Sequence, residues 1–129
     1  MGFFDIFKSK KDKEKLSHLR NLLAVAVADG IVQNSELGAI AAIMSREGMN
    51  PDELERCMKN PDKIDFVVPE SDNDKIRYLK DMVALMMIDG VIDDNELKVC
   101  KLTAKSYGFR TEVIDAMIRD IIIEITNKQ

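Results

Sequence analysis

An acidic turn that occurs twice decides the fold of this chain: DGVIDDNE at residues 89–96 and DGIVQNSE at residues 29–36. The two copies lie 60 positions apart, and the same shift aligns Gly48 with Gly108 without a gap. A repeat of this length indicates two copies of one structural unit. Each turn follows one segment of helical apolar periodicity and precedes another, so the repeated unit is helical.

Glycine, proline and asparagine mark where the predicted helices end and begin. Gly30 and Gly90 can adopt positive φ at no steric cost, which ends the first helix of each half. In the first half, Asn50 is the predicted N-cap of a third helix and Pro51 its first residue. We therefore predict an all-α fold of six to seven helices in two pseudo-equivalent halves.

The predicted organisation is a basic N-terminal arm followed by one helical domain. Pro61 and Pro69 interrupt helical periodicity and mark a connector between the repeats. Within it, Phe66, Val67 and Val68 are expected to anchor the connector to the core. The predicted ranges are the arm at 1–15, the domain at 16–129, repeat one at about 16–60, the connector at 61–71 and repeat two at about 72–127.

Charge and cysteine content restrict the class of protein. Of a net charge of −4, residues 1–15 hold +2 and the remainder −6. An acidic body argues against nucleic acid as a partner and favours a cation or a basic surface. Cys57 and Cys100 lie in apolar helical registers, which predicts reduced core thiols and suits a cytoplasmic protein. No apolar run approaches the roughly 20 residues that span a bilayer, and no secretory signal is expected.

The N-terminal arm has two interpretations that remain open. Its apolar residues are Phe3, Phe4, Ile6 and Phe7, and five lysines follow within residues 8–15. In one interpretation the aromatic rings enter the lipid headgroup region while the lysines meet anionic lipid, a weak and salt-sensitive membrane contact. In the other, the phenylalanines cover a hydrophobic groove on the body.

Two further features concern protein partners, and a third concerns the single histidine. Residues 121–123 are all isoleucine, so the last helix is either wholly enclosed or shared with a second subunit in a homodimer. Met82, Met86 and Met87 fill gaps in the core or form an adaptable partner surface, and the core is favoured. His18, the single histidine, cannot form a zinc site alone and is expected at the solvated surface.

The second acidic turn matches the calcium-binding EF-hand loop only in part. Gly90 falls at the invariant glycine and Glu96 at the bidentate glutamate. The first two ligand positions would be Leu85 and Met87, which have no oxygen to donate to an ion. The first copy has the same defect, so neither turn is an EF-hand.

The acidic residues of the turns allow a structural and a metal-binding interpretation. Asp93 and Glu96 can form a capping box worth about 1 kcal/mol, but an acid near a helix C-terminus meets the negative end of the dipole. If the turns meet, their carboxylates repel unless a cation lies between them or some are protonated. Oxygen ligands would select Ca²⁺, Mg²⁺ or Mn²⁺ over Zn²⁺, and no organic cofactor is indicated. The candidate ligands are Asp29, Glu36, Asp89, Asp93 and Glu96.

The paired segments resemble the tellurite-resistance TerB-like family of bacteria over residues from about 16 to 125. The resemblance lies in Ala28-Asp29-Gly30 before Glu36-Leu37, repeated as Ile88-Asp89-Gly90 before Glu96-Leu97. It implies an all-helical fold and a metal site at Asp29, Glu36, Asp89 and Glu96. It also implies a role in tellurite and stress resistance associated with the membrane, and a related domain precedes the J domain of a membrane-anchored co-chaperone.

No residue pattern in the chain indicates an enzyme, since no nucleophile lies beside a base that could activate it. The expected function is a cytoplasmic metal-binding and stress-response module. The alternative is an interaction scaffold at the membrane surface, resembling a co-chaperone or binding another partner, without a metal.

Overall fold

The computed structural model describes residues 9–128, which form six α-helices, one short 3₁₀ turn and no β-strand. The all-α fold in two halves is therefore confirmed. The 3₁₀ turn, Pro61–Lys63, lies in the connector. The helices are α1 (Lys10–Val27), α2 (Asn34–Arg46), α3 (Pro51–Lys59), α4 (Asp72–Met86), α5 (Asp94–Ser106) and α6 (Glu112–Asn127).

The two halves repeat their helix ends as well as their helices. Gly48 after α2 and Gly108 after α5 have φ of +89° and +92°. In both halves the amide of the next residue donates to the carbonyl five positions earlier, at 2.9 and 3.0 Å. This Schellman arrangement satisfies carbonyls that a helix end would leave without partners. Asn50 caps α3 as predicted, since its side chain accepts from the amide of Glu53 at 2.8 Å.

The core lies where α1 and α4 pack against each other. Leu19 and its repeat equivalent Leu79 are fully buried there. Cys57 and Cys100 are buried and reduced, as predicted. The core interpretation of the methionines is confirmed for the two that are buried completely or almost so, Met82 and Met86.

Helix α1 begins at Lys10, within the range 1–15 that was predicted to be the N-terminal arm. Ser9 caps it: the Ser9 hydroxyl accepts from the Asp12 amide at 3.1 Å, and the Asp12 carboxylate accepts from the Ser9 amide at 3.4 Å. Lys11 then forms an ion pair with Asp74 at the start of α4. The spacing of apolar residues does not reveal the first turn of α1, because capping and charge rather than burial stabilise this turn.

The connector is anchored partly by a residue that was not predicted, Ile64. Ile64 is 3% exposed, whereas Phe66 and Val68 are 39% and 38% exposed. Phe66 still packs its ring against that of the buried Tyr107, with centroids 6.1 Å apart, so the prediction is wrong for Val68 and not for Phe66. The amide of Val67 donates to the hydroxyl of Ser17 on α1 at 2.8 Å, which fixes the path of the segment.

We predict that Gly90→Ala destabilises the protein by about 1–2 kcal/mol, because Gly90 has φ of +81° and a Cβ disfavours this conformation. Gly38, inside α2, is the matched control. Its replacement by alanine should stabilise by about 1 kcal/mol through helix propensity, since a Cβ there meets no atom within 4 Å. Urea unfolding measures both. Equal effects of the two variants would contradict a required left-handed turn.

Candidate functional site

The aspartate of each acidic turn closes its own turn. Asp29 Oδ1 accepts from the amide of Ile31 at 3.0 Å, and Asp89 Oδ1 accepts from the amide of Val91 at 3.0 Å. Both are Asx turns, in which the side chain replaces a backbone acceptor. This contact gives the two aspartates a structural role although they lie near the negative ends of α1 and α4.

The helix starts that follow the turns differ between the halves. Glu36 Oε1 accepts from the backbone amide of Gln33 at 3.0 Å. Asp93 Oδ2 accepts from the amides of Asn95 and Glu96 at 2.9 and 3.1 Å. The capping box predicted at Asp93 is thus only half present. Within residues 9–128, the carboxylate of Glu96 accepts no hydrogen bond from the Asp93 amide.

Parallel packing of α1 and α4 places both turns at the same end of the bundle. Lys11 contacts Asp74 and His18 contacts Asp81, and both pairs are 63 residues apart in sequence. Contacts at constant separation mean that the two helices run side by side in the same direction. Their C-terminal ends, where the acidic turns begin, therefore lie together.

The five predicted ligands form one acidic cluster around Glu96. The Glu96 side chain is buried, and the residue is 3% exposed. Burial, followed by the negative charges of Asp29, Glu36, Asp93 and Asp89, raises the pKa of Glu96 to about 7. Because two of these residues belong to the first half, the charges of both halves act on the same carboxylate.

The cluster has oxygen atoms available to an ion but no finished coordination shell. Each of its five carboxylates keeps at least one oxygen that accepts no hydrogen bond from any described residue. Across residues 9–128, however, no three or more His, Cys, Asp or Glu side chains are already arranged to hold a metal ion. An ion would therefore require the carboxylates to rotate towards one another. The donor set fits a hard cation, with a geometry formed on binding.

The nearby thiol does not add a soft ligand to this cluster. Burial, followed by the charge of Glu96, raises the pKa of Cys100 to about 12. The thiol stays protonated near neutral pH, and a metal binds the thiolate. The donor set is therefore limited to oxygen.

A buried polar network at the centre of the bundle escaped the sequence analysis. The expectation that His18 lies at the surface is wrong, because the residue is completely buried. Its Nε2 lies 2.9 Å from Asp81 Oδ2. Its ring stacks on Tyr78 with centroids 3.9 Å apart and planes 8° from parallel. His18 and Tyr78 are equivalent positions of the repeat, so this stack lies on the pseudo-twofold axis.

Charged partners extend this network to the C-terminal end of α2. Arg46 donates to both carboxylate oxygens of Asp81, at 2.6 and 3.1 Å. Glu47 accepts from Arg77, and from the Tyr78 hydroxyl at 3.3 Å. Bidentate contacts to carboxylates are among the stronger polar interactions in proteins. The network thereby connects α2 of the first half to α4 of the second.

Protonation in the network follows from its contacts. Burial lowers the pKa of His18 and outweighs the hydrogen bond to Asp81, so the imidazole is neutral. Burial raises the pKa of Asp81, but the hydrogen bonds from His18 and Arg46 outweigh it and leave the pKa below its ordinary value. Nε2–H of His18 therefore donates to an ionised Asp81. Nδ1 is buried and has no hydrogen-bond partner among the described residues.

The repeat-equivalent side of the axis is neutral. Asn21 occupies the position of Asp81, and Tyr107 that of Glu47. The amide of Asn21 donates to the Tyr107 hydroxyl at 3.4 Å. Aligning the two halves could have revealed this network. The halves differ in their polar residues at positions 21/81 and 47/107, whereas their apolar positions stay apolar.

The last helix is not wholly enclosed, so that alternative is wrong. Ile114 and Met117 are buried, but Ile122, Ile123 and Ile125 are each about half exposed. Sharing this helix with a second subunit remains a prediction.

The arm residues Phe3, Phe4, Ile6 and Phe7 lie outside the described residues, so both interpretations of the arm remain predictions. Over residues 9–128, every helix is too short or too polar to cross a bilayer. Comparison with protein-family models, curated proteins and solved structures finds no match to this chain. The resemblance to the TerB-like family therefore still rests on the two acidic turns.

Proposed function

We propose that this chain is a non-enzymatic, cytoplasmic metal-binding module in which a divalent cation joins the two acidic turns. The observation that supports this proposal most is Glu96. The residue is only 3% exposed, the charges of four other carboxylates raise its pKa, and no described residue donates a hydrogen bond to its side chain. Ionising a carboxylate that is largely withdrawn from water and near other negative charges is costly, and a cation between the turns would offset that cost.

The donor set favours Ca²⁺, Mg²⁺ or Mn²⁺, because it consists of oxygen atoms alone. Asp29 and Glu36 would hold the ion from the first half, and Asp89, Asp93 and Glu96 from the second. Binding would thus fix the start of α5 against the turn that follows α1. The resemblance to TerB-like proteins supports a stress-response role, including resistance to tellurite.

We predict that the preferred ion stabilises the protein by about 2.7 kcal/mol at 100 times its Kd, a rise in Tm of several degrees. Thermal unfolding in Ca²⁺, Mg²⁺, Mn²⁺ or Zn²⁺ is compared with unfolding in chelator. In Asp29→Asn/Asp89→Asn the amide oxygens still close both Asx turns, so this variant removes charge alone. It should lose most of the response.

Asp62→Asn/Asp65→Asn is the matched control, since it removes the same charge from exposed positions of the connector. It should respond to the ion as the wild type does. No shift with any ion, or an equal shift in both double variants, would reject the metal site.

A second candidate is a partner-binding scaffold at the membrane surface without a metal, as in a co-chaperone. The half-exposed isoleucines near the C-terminal end of α6 favour it, because contiguous exposed apolar surface marks interaction sites. The partner would be an apolar surface, including that of a second copy of this chain. Failure of every ion to stabilise the protein would leave this candidate in place.

A further inference from the structure

The first helix of each half has the same groove-forming face. On α1 this face consists of Arg20, Asn21 and Ala24, and Phe66 of the connector forms another wall of the groove. On α4 the equivalent positions, Lys80, Asp81 and Ala84, line a second groove. The two grooves differ in what covers them.

Residues 64–67 cover the face of α1. Ile64 is buried, and the guanidinium of Arg20 lies 5.9 Å from the centre of the Phe66 ring. The same ring lies 6.1 Å from that of Tyr107. The amide of Val67 also donates a hydrogen bond to the hydroxyl of Ser17 on α1. An extended apolar segment placed just before α4 is thus the natural cover of this face.

The groove on α4 has no such cover among residues 9–128. Its volume is about 500 Å³, and its other wall is α6 from Met117 onward, including Ile121 and Ile123. Helix α3 ends at Lys59, whereas α6 continues as a helix past the equivalent Arg119. The residues equivalent to 64–67 are 124–127, which belong to α6 and do not turn back over α4.

A segment equivalent to residues 64–67 precedes α1 in the sequence. Residues 4–7 read FDIF and residues 64–67 read IDFV, again 60 positions apart, with an aspartate at the second position and apolar residues at the others. Each segment shortly precedes the first helix of its half. We propose that residues 4–7 fill the groove between α4 and α6, as residues 64–67 cover the equivalent face of α1.

Chain length and charge agree with this occupant. Ile6 lies three residues before Ser9, a reach of about 10 Å in an extended chain. Lys80 lies about 9 Å along α4 from Asp74, which Lys11 contacts. The groove is also lined by Asp120 and Glu124, opposite in charge to the lysine that follows residue 7.

Disulfide formation tests the placement in the full-length chain. Ile6→Cys is combined with Lys80→Cys, or with Lys98→Cys on α5 as the control, since both lysines are exposed. Cys57 and Cys100 are fully buried and do not compete for oxidised glutathione. The intramolecular bond to position 80 should form at least about tenfold faster than that to position 98, because docking raises the effective concentration. Equal rates, or a bond between two chains, would overturn the proposal.

Amide chemical shifts supply the second measurement. In Phe4→Ser/Ile6→Ser/Phe7→Ser, shift changes should be concentrated in residues 80–84 and 117–124. Shifts unchanged there would overturn the proposal. Flotation with phosphatidylserine vesicles tests the alternative that the arm binds lipid. If the wild type floats, the triple variant does not, and the amides of residues 80–84 and 117–124 are unchanged, the arm binds lipid and not the groove.

Discussion

Asp81→Ala is expected to destabilise the protein by about 3 kcal/mol, the low end of the cost of removing one partner from a buried ion pair. The substitution leaves the buried Nε2–H of His18 without an acceptor and removes the two hydrogen bonds that Arg46 donates to Asp81. Arg46 is partly exposed and regains water, which keeps the loss from being larger.

The matched control is Asn21→Ala, at the equivalent position of the first half. It removes one long hydrogen bond between neutral groups, so the expected loss is about 1 kcal/mol. Urea unfolding at pH 7.5 measures both variants. Equal losses would show that the charged side of the pseudo-axis stabilises the fold no more than the neutral side.

The contribution of this network also has a defined pH dependence. The pKa of Asp81 is lowered in the folded state, so its stabilisation is complete above the unfolded pKa and is lost as pH falls through the folded value. The pKa of His18 is lowered too. Below about pH 6.5 the unfolded state therefore binds a proton that the folded state rejects, and stability falls further. Both effects lower the free energy of unfolding as the solution becomes acidic.

Local chemistry explains why most of the fold could be predicted. Gly48, Asn50 and the two Asp-Gly turns act within a few residues, so sequence spacing alone identifies them. The His18–Asp81 contact spans 63 residues and requires knowledge of which faces of α1 and α4 meet. The five acidic residues could be predicted to meet because the repeat pairs them. Their hydrogen bonds could not, since Asp93 and its equivalent Gln33 cap their helices differently.

Glu96→Gln is expected to stabilise the ion-free protein at pH 8 by up to about 3 kcal/mol. The folded pKa of Glu96 is about 7 against an ordinary value of 4.5, so the folded state holds its proton more tightly. Stability therefore falls as pH rises from 4.5 to about 7, and the whole cost is present above that range. At about 1.4 kcal/mol per pKa unit, this interval gives the upper limit of about 3 kcal/mol.

Glutamine lacks the charge, so the gain should vanish at pH 4, where Glu96 is protonated in both states. Glu112→Gln is the control, because Glu112 is exposed in the first turn of α6 and lies outside the acidic cluster. It should cost no more than about 1 kcal/mol at pH 8. Chemical unfolding at both pH values measures the difference. A loss of stability in ion-free Glu96→Gln at pH 8 would contradict repulsion within the cluster.

A saturating divalent cation should cancel most of the stabilisation that Glu96→Gln gives at pH 8. In the ion-loaded protein the carboxylate is a ligand rather than a source of repulsion, and the variant forfeits most of the roughly 2.7 kcal/mol that an ion contributes at 100 times its Kd. A structural cap alone would give no such cancellation, because its contribution does not depend on the ion. The same substitution measured with and without ion therefore separates the metal site from helix capping. If the variant and the wild type gain equal stability from the ion, the cation binds elsewhere.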